Sequence, residues 1–261
     1  MAAFCEVNNV ATIPKKVQDR LVEGIKKFKP IVAGQKAADV GESDTVTLVT
    51  DILAEIFGYD KFKEITSEFA IKSTYCDLAT KIDDKLQTLI EVKAISHVLK
   101  DSHVTQAVNY AANQGVEWVL LTNGQHWRAY SVTCKGQIAQ DLVVDIDFLA
   151  IDHKSEDDLA LLYILCKEGW ARSAIDDYQA QREALNRYVI AATLLSDKML
   201  EKIRPELRRV SPDSRIDIED IKAILENEVI KRELLEGDKA DAARKTVAKA
   251  AKNVLRETAA E

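Results

Sequence analysis

The chain is poor in the residues that break structure: nine glycines and four prolines in 261 residues. That excludes a collagenous or loop-dominated polymer. It has no apolar run of the about 18 residues that would mark a membrane-spanning helix, so no membrane partner is expected. The opening residues, MAAFCEVNNVATIPKK, lack a basic start followed by an apolar core, so no secretory signal is expected. The four cysteines (Cys5, Cys76, Cys134, Cys166) lie far apart with no Cys-x-x-Cys. They read as reduced thiols of a cytoplasmic protein, not as a disulfide frame or a zinc site. Positive charge is also short. Lys and Arg total 36 against 43 Asp and Glu, a net charge of −7. This disfavours a protein that coats nucleic acid nonspecifically, which must neutralise many phosphates. It leaves room for a nuclease, whose acidic site attracts metal ions while a local basic rim holds the substrate. Both halves of the chain are mildly acidic, so charge asymmetry locates nothing.

What is present suffices for a packed protein. Apolar residues make up 47% of the chain and charged residues 30%, enough to bury a core. The length suits one sizeable domain and a smaller one. The spacing of Val17, Leu21, Ile25 and Phe28 predicts a leading helix from Lys15 to Phe28. A second helix is expected with Ser43 as N-cap, the stripe Val46, Val49, Ile52, Leu53, Ile56 and Phe57, and Gly58 as its stop. Three β-rich segments follow, Ile65–Lys72, Tyr75–Ile82 and Thr88–Ala94, and read as an antiparallel meander. Next come a helix over Asp101–Asn113 ending at Gly115, a buried strand at Glu117–Leu121, an Asn123-Gly124 turn and a partner strand over His126–Val132. Leu142–Ile146 reads as one more strand. After Asp152 the pattern is helical: Ser155–Glu168, Ile175–Ile203, Ile216–Leu235 and Asp238–Thr258, with Pro205 and Pro212 as punctuation. The organisation expected is therefore an N-terminal helix and linker (1–40), a mixed α/β domain (41–152) and a helical C-terminal domain (153–261).

The chemistry concentrates between Glu42 and Tyr130. Asp77 lies within the second strand of the meander, and Glu91-Val92-Lys93 closes the third. Strand alternation puts Glu91 and Lys93 on one face, with Val92 on the other. If the two strands pair, Asp77 approaches Glu91, and two carboxylates and a lysine converge at a strand end. That set suits metal-dependent phosphodiester hydrolysis: carboxylates hold a hard cation such as Mg²⁺, for which Mn²⁺ can substitute, and the lysine orients the attacking water or stabilises charge at phosphorus. Gln106 and Tyr110, four residues apart, share one helix face and can hydrogen-bond. Taken alone, Glu91 and Lys93 read first as a solvated ion pair on a strand face, the commonest fate of such a pair. Glu42 beside an N-cap also complements a helix dipole. Glu68 reads as an exposed residue or a secondary contact, His97 and His103 as surface or backbone-contact residues, and Trp118 and Trp127 as core. Arg204, Arg208, Arg209 and the basic residues of the last helix read first as a solvated face.

The ordered set resembles the PD-(D/E)xK nuclease superfamily, and within it the N-terminal nuclease domain of type I restriction enzyme R subunits. The residues that carry the likeness are Glu42-Ser43-Asp44-Thr45, Phe57-Gly58-Tyr59-Asp60, Asp77, Glu91-Val92-Lys93-Ala94, Gln106-x-x-x-Tyr110, Glu117-Trp118 and Leu121-Thr122-Asn123-Gly124 leading to Trp127. They fall in order along residues 40–132. Cys76 stands before Asp77 where many members have proline. The resemblance implies an α+β fold, a restriction-endonuclease-like mixed sheet flanked by helices and followed by a helical C-terminal region. It implies Asp77 and Glu91 as Mg²⁺ ligands, Lys93 as catalytic lysine, Gln106 and Tyr110 as an accessory catalytic pair, Glu42 as a further ligand and Glu68 as secondary. The implied function is a Mg²⁺-dependent DNA endonuclease in restriction and defence. Its partners would be DNA, other restriction-system subunits and further copies of itself. No Gly-x-x-x-x-Gly-Lys-[Ser/Thr] occurs, so the implied module carries no ATP-driven motor. The alternative is a non-catalytic DNA-binding or assembly module with a nuclease-like fold. RNA cleavage is a third reading, because two-carboxylate chemistry does not sense the 2′-hydroxyl.

Overall fold

The computed structural model describes residues 12–71, 74–135 and 137–257. They form two compact units that divide between Gln179 and Ala180. Lys72, Ser73 and Thr258, which bound expected elements, lie outside the described residues.

The first unit is built on a six-stranded sheet in the order β1 to β6. The strands are β1 (Ile65–Ile71), β2 (Thr74–Ile82), β3 (Lys85–Val92), β4 (Trp118–Thr122), β5 (His126–Lys135) and β6 (Gln137–Asp147). All neighbours are antiparallel except β3 and β4, which run parallel. A parallel pair needs a long crossover. Here it comprises an irregular segment, a single 3₁₀ turn (Asp101–Val104) and helix α3 (Thr105–Gln114). Gly115 ends α3 in the left-handed conformation at φ 69°.

Side-chain alternation gives the sheet two buried faces. Ile90, Val92, Trp118, Leu120, Trp127 and Ile146 join one cluster with α1 (Lys15–Ala37), α2 (Glu42–Glu55), α4 (Glu156–Tyr163) and α5 (Lys167–Ala171). Leu89, Val119, Leu121, Tyr130 and Val132 join a second cluster under Val104, Ala107, Val108 and Ala111 of the crossover. Trp127 meets Phe57 edge-on at 5.1 Å, and Trp118 meets Trp170 at 5.7 Å. Both strand tryptophans are therefore core residues, as expected. The described architecture is α+β, a mixed sheet with helices on both faces, followed by helices.

Several element bounds differ from the sequence reading, each for a local reason. Helix α1 runs on to Ala37 through Pro30, because its apolar stripe continues to Val32. Gly41, not Ser43, is the N-cap of α2, and Glu42 already lies in its first turn. Asp83 and Asp84 both have positive φ (50° and 61°), so Lys85 pairs directly with Ile82 across a two-residue hairpin. Strand β6 starts earlier than expected, in a polar, exposed stretch that shows no alternation. The single helix expected over 175–203 is instead α6 (Ala174–Ala184), α7 (Arg187–Leu194) and α8 (Asp197–Val210), the last continuing through Pro205. Asn186 forms the break before α7, its side chain accepting the Tyr188 N–H at 2.9 Å. Within the second unit a short α9 (Ile218–Ile224) precedes α10 (Asp238–Glu257), which packs on α7. Among the described residues of this unit the buried apolar ones are few and mostly small: Ala191, Leu200, Ile221, Ala240 and Ala243.

One ion pair fastens the helices of the first unit. Arg20 of α1 reaches the end of α2, where its Nε donates to the Ile56 carbonyl at 2.9 Å. Its other nitrogens donate to the two carboxylate oxygens of Glu168 at 2.8 and 2.6 Å. Gly58, at φ 83°, leaves room for this: a Cβ there would lie 2.5 Å from the guanidinium. Burial pushes the Glu168 carboxyl up, but the Arg20 hydrogen bonds, a backbone hydrogen bond and the Arg20 and Lys167 charges together outweigh it, and its pKa falls below the ordinary value. A depressed carboxyl contributes stability that is present above its unfolded pKa and is lost as pH falls through the folded one. Glu168→Gln should therefore cost about 1 kcal/mol at neutral pH, after allowing for the partial exposure of both partners. Urea denaturation should show that deficit shrinking below about pH 4. An unchanged deficit at low pH would mean that packing, not charge, carries the contact.

Candidate active site

At the end of the β2–β3 ladder a side chain replaces a backbone acceptor. The last backbone pair toward this end is Leu78 with Ile90. Beyond it the Val92 N–H donates to Oδ2 of Asp77 at 2.7 Å. β2 also changes face here: Cys76 is buried in the second cluster and Leu78 in the first. On the neighbouring strand, Ser67 pairs with Leu78 and Phe69 with Cys76, which sets Glu68 opposite Asp77. Glu68 is exposed and adopts φ 47°. The kink frees the Asp77 carboxylate to turn toward β3.

Glu91 and Lys93 follow the alternation of Leu89. Lys93 Nζ donates to Glu91 Oε1 at 2.7 Å and to the Val92 carbonyl at 3.0 Å. Glu42, at the start of α2, stands 3.7 Å from the same ammonium. Lys93 and Glu91 side chains are each 20% exposed, whereas Glu42 is 51% exposed. Glu42 is thus the looser partner. The Lys93 N–H donates to the Thr122 carbonyl at 2.9 Å, which fixes the site at the carboxyl ends of the parallel strands β3 and β4.

The electrostatics are those of a crowded acidic site. Burial pushes the Asp77 carboxyl above its ordinary value, against the pull of the Val92 N–H and the Lys93 charge. Burial likewise raises Glu91, the Lys93 hydrogen bond lowers it, and the Asp77 charge adds to the rise. For Lys93 burial acts downward, but the Glu91 hydrogen bond and the charges of Glu91, Glu42 and Asp77 together exceed it, and its pKa is raised. The ammonium is held in its charged form, and ionising either carboxylate is costly. A hard divalent cation relieves that cost, and Mg²⁺ commonly takes one or two carboxylates and fills the rest of its shell with water. Asp77 and Glu91 fit that demand. Among the described residues, no group of three or more His, Cys, Asp or Glu side chains is arranged to hold a metal ion.

The other expected residues are placed less centrally. Gln106 is exposed on α3, and Tyr110 is half-buried beside the second cluster, its ring edge-on to Phe69 at 6.2 Å. Asn123, which the sequence reading treated only as part of a turn, has a structural role at the site. It is 3% exposed, its Nδ2 donates to the carbonyls of Ile95 and His97 at 3.1 and 3.0 Å, and its Oδ1 receives the N–H groups of Gln125 and His126. It ties the segment after Lys93 to the β4–β5 turn. The Asn-Gly pair signalled a turn but not this longer reach.

Residues 47–146 match the family described as Type I restriction enzyme R protein N terminus (HSDR_N). This segment is similar to that family. The match begins inside α2 and ends inside β6, so it holds Glu68, Asp77, Glu91, Lys93, Gln106 and Tyr110 and leaves Glu42 just outside. No curated protein and no solved structure matches the chain.

The site geometry makes a stability prediction that separates charge from hydrogen bonding at Asp77. Asn at this position keeps an acceptor for the Val92 N–H but removes the charge. A raised carboxyl destabilises the fold above its folded pKa and has no effect below its unfolded one. Metal-free Asp77→Asn should therefore match or exceed wild type by up to about 1 kcal/mol at pH 8 and lose that gain near pH 4. Asp77→Leu orphans the buried N–H and should cost about 1–3 kcal/mol at either pH. Thermal melts check both. Equal destabilisation by the two variants at pH 8 would show that the Asp77 charge stabilises the metal-free fold.

Proposed function

We propose that the protein is a Mg²⁺-dependent DNA endonuclease of the type I restriction R-subunit kind, acting in restriction and defence. The observation that carries this reading is the convergence of Asp77, Glu91 and Lys93 at one strand end inside the family-matched segment. Asp77 and Glu91 would hold the ion. A bound Mg²⁺ supplies polarisation of the phosphate and a water of lowered pKa. The protein's own part is positional and electrostatic. The Val92 N–H fixes one oxygen of Asp77, so the carboxylate presents the other without choosing among rotamers. Glu91 and the Val92 carbonyl hold the Lys93 ammonium, whose raised pKa keeps it cationic at neutral pH. There it can stabilise the charge that develops on the phosphoryl oxygens. Glu42 acts as a secondary acid at the rim. Gln106 and Tyr110 are accessory residues on the adjoining helix face. Further partners on this reading are other restriction-system subunits and a second copy of the chain.

The Lys93–Glu91 hydrogen bond also favours a second reading. A carboxylate already neutralised by a lysine suits a non-catalytic DNA-binding or assembly module of the same fold. One assay separates the readings. Purified protein is incubated with duplex DNA and with RNA, in Mg²⁺ or Mn²⁺ and in EDTA. The nuclease reading expects metal-dependent DNA cleavage, reduced at least ~100-fold by Asp77→Asn, Glu91→Gln or Lys93→Met. Cleavage that survives Glu91→Gln belongs to a contaminant. DNA binding without cleavage, and a melting temperature indifferent to Mg²⁺, would establish the binding module instead.

A further inference from the structure

The crossover segment that follows Lys93 is irregular yet held in place from below. Ile95 and Leu99 are buried, while Ser96, His97, Val98 and Lys100 face outward, Val98 at 73% exposure. Carbonyls along it are taken by side chains of the sheet. Asn123 takes those of Ile95 and His97, and Arg128 donates to Leu99 at 3.0 Å. At its far end Tyr130 donates its hydroxyl to Asp101 at 2.8 Å, which occupies the only acidic side chain between Lys93 and Val104. A segment without a helix or strand ladder thus has its backbone fixed in advance. Its ordering entropy is not left to be lost on binding.

The outward groups are hydrogen-bond donors. The rings of His97 and His103 lie 5.2 Å apart. His103 Nδ1 accepts the Lys100 N–H at 3.2 Å, so the neutral ring carries its proton on Nε2. Burial first, then the neighbouring charges of His97, Lys93 and Lys100, lowers the His103 pKa and favours that neutral form. A protonated Nε2 is a donor and not a metal ligand, which argues against a histidine metal site here. Lys100 is exposed beside it. In a chain of net charge −7, an ordered ridge with two histidines and a lysine, its one acid Asp101 exposed and held by the Tyr130 hydroxyl, is a local place for an anion.

We propose that residues 96–103 form a strap that grips the sugar–phosphate backbone of duplex DNA beside the Asp77, Glu91 and Lys93 site, with Lys100, His97 and His103 as positioning residues. The proposal rests on the nuclease reading and adds to it the element that holds the substrate. Contacts to phosphate carry no sequence information, so the strap sets the depth and orientation of the duplex and is indifferent to its sequence.

The test uses the full chain. Affinity for a fluorescent duplex of arbitrary sequence is measured against salt with Ca²⁺ replacing Mg²⁺, and cleavage is measured with Mg²⁺. Lys100→Ala should weaken binding about 5- to 10-fold and lower the salt slope by about one, whatever the DNA sequence. Lys100→Arg should restore both. The double variant His97→Ala/His103→Ala should raise KM several-fold and leave kcat within about twofold. Both sites are at the surface, and melting temperatures near wild type confirm folding. If wild type binds and cuts while every strap variant binds as tightly, the strap is wrong and the nuclease reading stands. Failure of Lys100→Arg to restore binding would also overturn the strap. If wild type neither binds nor cuts duplex DNA, the nuclease reading falls and the strap falls with it.

Discussion

The hydrogen bond from the Val92 amide to the Asp77 carboxylate joins β2 to β3 where their backbone ladder ends, and the site is arranged around it. A backbone acceptor at that point would have extended an ordinary hairpin. A carboxylate there brings a charge to the strand end and keeps it, because a buried N–H is costly to leave unpaired. The exchange needs β2 to turn, and the change of face between Cys76 and Leu78, opposite Glu68 in its left-handed conformation, accomplishes that turn.

The sheet topology explains why the carboxylates and the exposed ridge lie together. β3 and β4 are the parallel pair, and ligand sites in such arrangements gather at the carboxyl ends of the strands. Parallel pairing also obliges the chain to cross over, and the crossover starts immediately after Lys93. Its helix covers one face of the sheet, while its irregular part passes over the strand end. Thr122, Asn123, Arg128 and Tyr130 fasten that passage from beneath. One topological necessity thus provides both a lid for the second cluster and an exposed ridge beside the carboxylates.

The ionisable groups of the first unit divide into two kinds. Arg20 and Glu168 meet with two short hydrogen bonds, and the carboxyl becomes a stronger acid. Asp77 and Glu91 become weaker acids, because burial and mutual repulsion exceed what Lys93 and Val92 return. The first arrangement is the electrostatics of a fastener. The second is that of a site under charge stress, which is what binding a cation would relieve.

Much of this was legible in the chain. The period-2 runs marked the strands, the stripe of Val17, Leu21, Ile25 and Phe28 marked α1, and the alternation of Glu91 with Val92 and Lys93 placed acid and lysine on one face. These are short-range consequences of backbone geometry, so the sequence by itself determined them. Helix ends were less readable, since Gly41, Asn186 and Pro30 act through local context that overrides the simple preference. The tertiary structure alone decided that β3 and β4 pair in parallel, that Asp77 serves as a ladder acceptor, that Asn123 reaches the chain after Lys93, and that His97 and His103 stand ring to ring. Each depends on which distant segments are brought into register. That is set by burying two faces of one sheet at once, a global constraint that no window of the sequence contains.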